Sequence, residues 1–99
     1  MCTKKIVRAD GAGVFFGNVV EENEQSKTVV MTDVKRLWFW SGASSLSELA
    51  EHGVARPLGC KFTCNVSKIK IYNVLEILDV TDKAEASING VKEWKQREE

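Results

Sequence analysis

Short runs of apolar residues separated by turn residues fill the first part of the chain. Runs that are rich in β-branched and aromatic side chains are typical of strands, and glycine or asparagine between them favours turns. The gaps between these runs are short, which is typical of an antiparallel meander. We therefore predict strands at four places, residues 4–9, 14–20, 28–32 and 34–40.

Two segments of the second half carry helix-start patterns. Ser45-Leu46-Ser47-Glu48 fits a capping box, in which the serine hydroxyl and the glutamate carboxylate satisfy backbone amides at the start of a helix. Gly53 is placed to end that helix with a left-handed residue. The same pattern recurs from Asp82 to Glu85, so we expect a second short helix that closes at Asn89-Gly90.

The remaining apolar runs predict further strands, at residues 62–66 and 69–78 with a break near 65–68. Residues 74–80 are more continuously apolar, which favours a central strand. The whole indicates an α+β fold, a small curved, mostly antiparallel and barrel-like sheet of about five to six strands with two short helices. We expect residues 1–99 to form a single compact domain, with a charged tail from about residue 95.

The charge balance excludes one class of function. Lys+Arg and Asp+Glu each number 14, whereas generic DNA binding needs a basic excess. No apolar run approaches the roughly 20 residues of a membrane-spanning helix, and the N-terminal residues carry no apolar signal segment. Three cysteines, an odd number without an export signal, favour a reducing compartment, so we expect a cytoplasmic protein.

The cysteines do not predict a metal site. Cys60 and Cys64 are separated by three residues, and His52 is the only histidine, so a zinc site would lack its fourth ligand. We expect both cysteines to pack as small apolar side chains, and we expect no metal and no other cofactor.

The sequence also lacks a catalytic signature. A nucleophile needs a base beside it, and His52 is explained by its place at a helix end, where the dipole favours a cation. No HExxH or GxSxG motif occurs. We therefore expect no enzymatic activity; nucleotide cleavage is an alternative that would require His52 or an acidic cluster to line the ligand pocket.

The most unusual stretch is residues 35–53, KRLWFWSGASSLSELAEHG. Because side chains alternate along a strand, Trp38 and Trp40 are expected on one face together with Arg36. Leu37 and Phe39 are expected on the other face, as core residues. The two tryptophans then require either a second layer that buries them or a role in a binding surface.

The small residues that follow favour the binding interpretation. Free backbone amides and hydroxyls at a helix start form an anion site, and the planar fork of Arg36 suits phosphate. A strand, turn and helix with two core tryptophans need no ligand, and that interpretation stays open. The candidate ligand-binding residues are Arg36, Trp38, Trp40, Ser41, Gly42, Ala43, Ser44 and Ser45.

The same stretch carries a resemblance. Residues 36–50 read R-L-W-F-W-S-G-A-S-S-L-S-E-L-A and resemble the signature of a family of small uncharacterised bacteriophage and prophage proteins, typically R-L-W-Y-W-S-G-A-x-S-L-x-x-L-A. Phe39 stands where tyrosine is common in that family. Further segments that resemble the family lie at residues 13–17, 59–62, 74–78, 87–88 and 91–94.

The resemblance implies a phage context. Small phage proteins without a catalytic signature are often inhibitors of bacterial immunity, and one class binds cyclic oligonucleotides or ADP-ribose derivatives as homo-oligomers. We therefore predict a homo-oligomeric, non-enzymatic protein of the infected bacterial cytoplasm that sequesters a small nucleotide immune signal. The alternative is a protein-binding inhibitor or assembly adaptor that docks an exposed tryptophan surface on a host or phage protein.

Overall fold

A computed structural model describes residues 4–40 and 45–93 of the chain. It has an α+β fold with six strands and two α-helices, as predicted, and a 3-10 turn lies at Pro57–Gly59. The charged tail predicted from residue 95 lies outside the described residues. The elements are β1 (Lys4–Ala9), β2 (Gly13–Asn23), β3 (Thr28–Phe39), α1 (Leu46–His52), β4 (Lys61–Phe62), β5 (Val66–Ile71), β6 (Val74–Asp79) and α2 (Asp82–Asn89).

The strands form one curved antiparallel sheet that does not close into a barrel. Strands β1, β2 and β3 form the predicted meander, in which β2 pairs with both of its neighbours. On the far side of β3, β5 pairs with its first half and β4 with its last residues. On the far side of β1 lies β6. The sheet therefore ends in β4 and β5 at one margin and in β6 at the other.

Alternating side chains along the strands build two separate cores. In β1, Ile6 and Val7 point to opposite faces, and in β2, Phe16 and Phe15 do the same. The sheet core contains only strand residues: Val7, Ala9, Phe15, Val29, Met31, Val34 and Ile71. The helix-side core packs the other face against α1 and α2: Ile6, Phe16, Leu37, Leu49, Ala50, Val54, Cys60, Phe62, Val80, Ala84, Ile88 and Val91.

The two strands predicted at 28–32 and 34–40 are one strand, which corrects the sequence-based boundary. Asp33 sits between them with φ 49°, and three steps along β3 oppose two along β2 at this point, which is a β-bulge. The extra residue reverses the alternation, so Met31 and Val34 both reach the sheet core. The chain bends here without leaving the sheet.

The later strands also differ from the prediction. The break expected near residues 65–68 lies slightly earlier, at residues 63–65 between β4 and β5. The strand predicted at 69–78 is divided by a second break at Asn73, whose φ of 60° turns the chain between β5 and β6. Strand β6 was expected to be central, but in the described part of the chain it pairs with β1 alone. Its apolar content reflects a half-buried margin strand, because Leu75 remains 54% exposed.

The two helices are capped and joined by hydroxyl groups. Ser45 caps α1 as predicted, since its hydroxyl accepts from the Glu48 N–H at 3.1 Å. The cap of α2 is Thr81, one residue earlier than expected, because the Thr81 hydroxyl accepts from the Ala84 N–H. That hydroxyl also donates to the Glu51 carbonyl at 2.6 Å, which ties α2 to α1.

Candidate functional site

The end of β3 carries a second β-bulge, centred on Trp38. Leu37 pairs with Phe62 and Phe39 pairs with Lys61, so two steps along β3 oppose one along β4. Such a bulge shifts the alternation by one residue. The face on which each aromatic side chain lies is therefore set by the bulge, which the alternating pattern alone does not show.

This shift corrects the expected faces of residues 37–40. Leu37 is buried in the helix-side core as predicted, but Phe39 is 54% exposed and is not a core residue. Trp38 and Trp40 were expected on one face, yet Trp38 is 62% exposed while Trp40 packs against the helix-side core. The two tryptophans therefore do not form one aromatic wall.

Arg36 lies on the face opposite the helices. It pairs across the sheet with Phe15, and its guanidinium carbon lies 4.9 Å from the centroid of that ring, within cation–π range. The backbone N–H of Arg36 donates to the Thr63 hydroxyl at 2.9 Å, which ties β3 to the loop between β4 and β5. Within residues 4–40 and 45–93, no carboxylate pairs with the guanidinium. Packing against the Phe15 ring therefore holds the guanidinium in place, and no carboxylate of the described residues neutralises its charge.

Arg36 lines a cleft of about 380 Å³, here called the Arg36 cleft. One wall is the turn between β1 and β2, and the other is the end of β5 with the link to β6. The Asp10 N–H donates to the Asn73 carbonyl at 2.9 Å, which joins the two walls. The lining residues are Asp10, Gly11, Ala12, Phe15, Arg36, Ile69, Lys70, Ile71, Tyr72 and Asn73.

The β5 wall adds a cation and an aromatic ring that the sequence-based site omitted. The Lys70 ammonium lies 5.5 Å from the centroid of the Tyr72 ring, and Tyr72 is 59% exposed. Both residues belong to the alternating run K-I-K-I-Y, which places them on the same face of a strand. That signal was present in the sequence, but nothing in the local pattern connects it with Arg36.

The expected anion site after Trp40 is described only in part. Ser41, Gly42, Ala43 and Ser44 lie outside the described residues. Ser45 is exposed, and its hydroxyl serves as the N-cap of α1. The role of this segment in ligand binding therefore stays a prediction.

The other reactive side chains lie away from the Arg36 cleft. His52 lines a separate cleft of about 330 Å³ between α1 and α2. Cys60 is buried as predicted, and its thiol donates to the Arg56 carbonyl, whereas Cys64 is exposed and does not pack as an apolar residue. In the described ranges, no group of three or more His, Cys, Asp or Glu side chains could hold a metal ion.

A charged cluster lies at the bulge of β3, on Asp33 and two lysines. The Lys4 ammonium donates to the Asp33 carboxylate at 2.8 Å, and this hydrogen bond lowers the pKa of that carboxyl below its usual value. Burial lowers the pKa of Lys35, and the nearby charge of Lys4 lowers it further. Lys35 thus lies in a drier environment than its neighbour Arg36, which is exposed.

Comparison with known proteins identifies a family but no activity. Residues 3–88 match the family described as Domain of unknown function (DUF6948). The chain belongs to the DUF6948 family. No curated protein and no solved structure matches the chain. The family match spans both walls of the Arg36 cleft, so this cleft lies within the DUF6948 domain. None of the described helices is long and apolar enough to cross a membrane.

Proposed function

We propose that this protein binds and sequesters a small nucleotide signal without converting it. The observation that carries the proposal is the position of Arg36, whose guanidinium lies over the Phe15 ring and lines a cleft with no carboxylate partner among the described residues. A planar guanidinium fixed by an aromatic ring is suited to bidentate binding of a phosphate.

The surroundings of Arg36 add the other part of a nucleotide. Two exposed aromatic rings accompany the cation: Tyr72 on the β5 wall of the cleft, and Trp38 two residues along β3. Stacking a base on one such ring contributes about 1–3 kcal/mol, and it tolerates any base. The zero net charge does not oppose this, because a single local site suffices for a small phosphate ligand.

The biological role that we propose is inhibition of host anti-phage defence. The resemblance of residues 36–50 to phage proteins supports this context, and the signals in question are cyclic oligonucleotides or ADP-ribose derivatives. A protein that acts by sequestration needs tight binding and a high copy number, and it needs no catalytic group. Homo-oligomerisation would enlarge a cleft that is open to solvent in one chain.

A thermal-shift screen tests this proposal. The purified protein is melted with cyclic di- and trinucleotides and with ADP-ribose isomers, and each compound is then recovered and checked by chromatography. A ligand at about 100 times its Kd should stabilise the fold by about 2.7 kcal/mol. A shift with intact ligand supports sequestration, a shift with altered ligand indicates an enzyme, and no shift with any compound contradicts the proposal.

Two arginine variants locate the binding. Arg36→Ala should abolish most of the shift, because the phosphate partner is lost. Arg56→Ala is the matched control, since Arg56 is also exposed but does not line the Arg36 cleft. Equal shifts for wild type and Arg36→Ala, with both proteins folded, would contradict the assignment of Arg36 as the anchor.

The second candidate function is docking on a host or phage protein. Trp38 and Phe39 are neighbours, are 62% and 54% exposed, and lie at the end of a strand. Aromatic residues of this kind are frequent anchors of protein interfaces. This function predicts a stable complex in pull-downs from host lysate that Trp38→Ala disrupts, together with no thermal shift from nucleotides.

A further inference from the structure

We infer that the nucleotide lies in the Arg36 cleft against the outer edge of β5, with its base on Tyr72 and its phosphate between Arg36 and Lys70. This inference rests on the proposed function and assigns the ligand to residues outside the segment 37–45. Three features of one cleft support it: a strand edge, a pair of cations and an exposed ring.

The first feature is the edge of β5. Among the residues that the structure describes, β5 pairs with β3 alone. The N–H and C=O groups on its other side therefore have no strand partner. Three consecutive residues of β5, 69–71, line the cleft, which is expected when a strand presents its edge rather than one face, and the link residues 72 and 73 continue this wall. Alternating donors and acceptors at fixed spacing can hydrogen-bond the polar edge of a base.

The second feature is the charge of the cleft. Arg36 comes from β3 and Lys70 from β5, and Asp10 is the acidic side chain among the lining residues. The two cations exceed the one carboxylate, so the cleft favours an anion. The contrast with a cleft of about 430 Å³ beside β6 supports this point, because that cleft is lined by Glu22, Glu24 and Glu76 against Lys27 alone.

The third feature is the ring of Tyr72. It is 59% exposed, and Lys70 lies over it at 5.5 Å, so cation and ring are presented together. A phosphate that attracts Lys70 would uncover the ring for a base. Trp40 cannot serve in this way from the same cleft, since it packs against the helix-side core.

The test is isothermal titration of the full chain with two named probes, ADP-ribose and cyclic di-AMP. Tyr72→Ala should weaken the probe that binds by at least about fivefold, the lower limit expected for loss of one stacked base. Lys70→Gln should weaken it as well, by a factor that shrinks as salt is raised. Amide exchange of β5 should slow when the probe is present, because its outer N–H groups become hydrogen-bonded.

Matched controls come from the same sheet. Lys68→Gln changes a lysine two residues before Lys70 that does not line the cleft, and Leu75→Ala removes an apolar side chain of similar exposure to Tyr72. Both should bind as wild type does. Thermal melts of all four variants establish that each is folded at the titration temperature.

The outcomes separate this inference from the proposed function. If wild type binds neither probe, the proposed function fails and this inference fails with it. If wild type binds and Arg36→Ala does not, while Tyr72→Ala and Lys70→Gln bind as the controls do, only this inference fails. If Lys70→Gln alters sedimentation of the protein but leaves probe affinity unchanged, the edge of β5 pairs with a second copy of the chain, which also overturns it.

Discussion

The two faces of β3 differ in how completely they are covered. On the helix side, Leu37 is buried beneath α1 and α2 together with Phe16. On the other face, Val34 lies in the sheet core, but Arg36 and Trp38 further along the strand are exposed. One strand therefore supplies both packed residues and exposed residues. We expect side chains on the helix side, such as Leu37, to determine stability, and exposed side chains on the other face, such as Arg36, to determine binding.

The largest effect expected is on stability, from truncation on the helix side. Phe16 is 1% exposed, so Phe16→Ala should lower the free energy of unfolding by about 3–5 kcal/mol through lost burial and a cavity. Urea unfolding measures this loss. Phe15→Ala is the counterpart, because Phe15 is equally buried but lies under Arg36.

Nucleotide binding should distinguish the two phenylalanine variants, which stability alone does not. Phe15→Ala should lower stability by a similar amount and should also weaken nucleotide binding, because Arg36 loses the ring that orients it. Phe16→Ala should leave the affinity of the folded fraction unchanged. A loss of stability below about 1 kcal/mol for Phe16→Ala would contradict the packed helix layer.

The next largest effect is a loss of stability at Gly17 of β2, which packs against Val34 beside the bulge at Asp33. A Cβ at Gly17 would lie 2.7 Å from the Val34 Cβ and 2.8 Å from the Val34 Cα, so the backbone itself blocks it. Gly17→Ala should therefore destabilise the protein by about 1–3 kcal/mol, as overpacking does. The control is Gly90→Ala, where φ is −78° and the nearest atoms are at 3.4 Å. Equal thermal melting temperatures for the two variants would contradict the close approach of β2 and β3.

The smallest effect is electrostatic. Lys4 lowers the pKa of Asp33 below its ordinary value of 3.8, so the pair stabilises the fold at neutral pH. That contribution is lost as pH falls through the lowered pKa. Asp33→Asn, which keeps a side chain tolerant of positive φ, should cost less than about 1 kcal/mol at pH 7 because the Asp33 side chain is 59% exposed. Thermal melts at pH 7 and near pH 2 should show this difference shrinking; a constant difference would contradict the ion pair.

Local patterns predicted much of the fold. The bounds of β1 and the cap of α1 at Ser45 follow from short-range signals, namely apolar alternation and a serine three residues before a glutamate. The α+β class and the meander follow from the number and spacing of such segments. These features depend on residues that are close in sequence, which is why the sequence alone reveals them.

The errors arise where one residue changes the register. The bulges at Asp33 and Trp38 each reverse the alternation, so Phe39 is exposed and Trp40 turns to the helix side. Arg36 and Tyr72 line the same cleft only because β5 returns alongside β3 and the chain turns at Asn73. Proximity between residues so far apart in sequence leaves no local pattern.

The most direct test compares two adjacent cations of β3. Arg36 faces the cleft, and Lys35 is a half-buried residue whose pKa is lowered by burial. The Kd for ADP-ribose and cyclic di-AMP is measured by isothermal titration for wild type, Arg36→Ala and Lys35→Ala. We expect Arg36→Ala to lose most of the affinity for the probe that binds and Lys35→Ala to retain it. An equal loss in both variants, or a loss in Lys35→Ala alone, would contradict the separation of binding from packing on the two faces of β3.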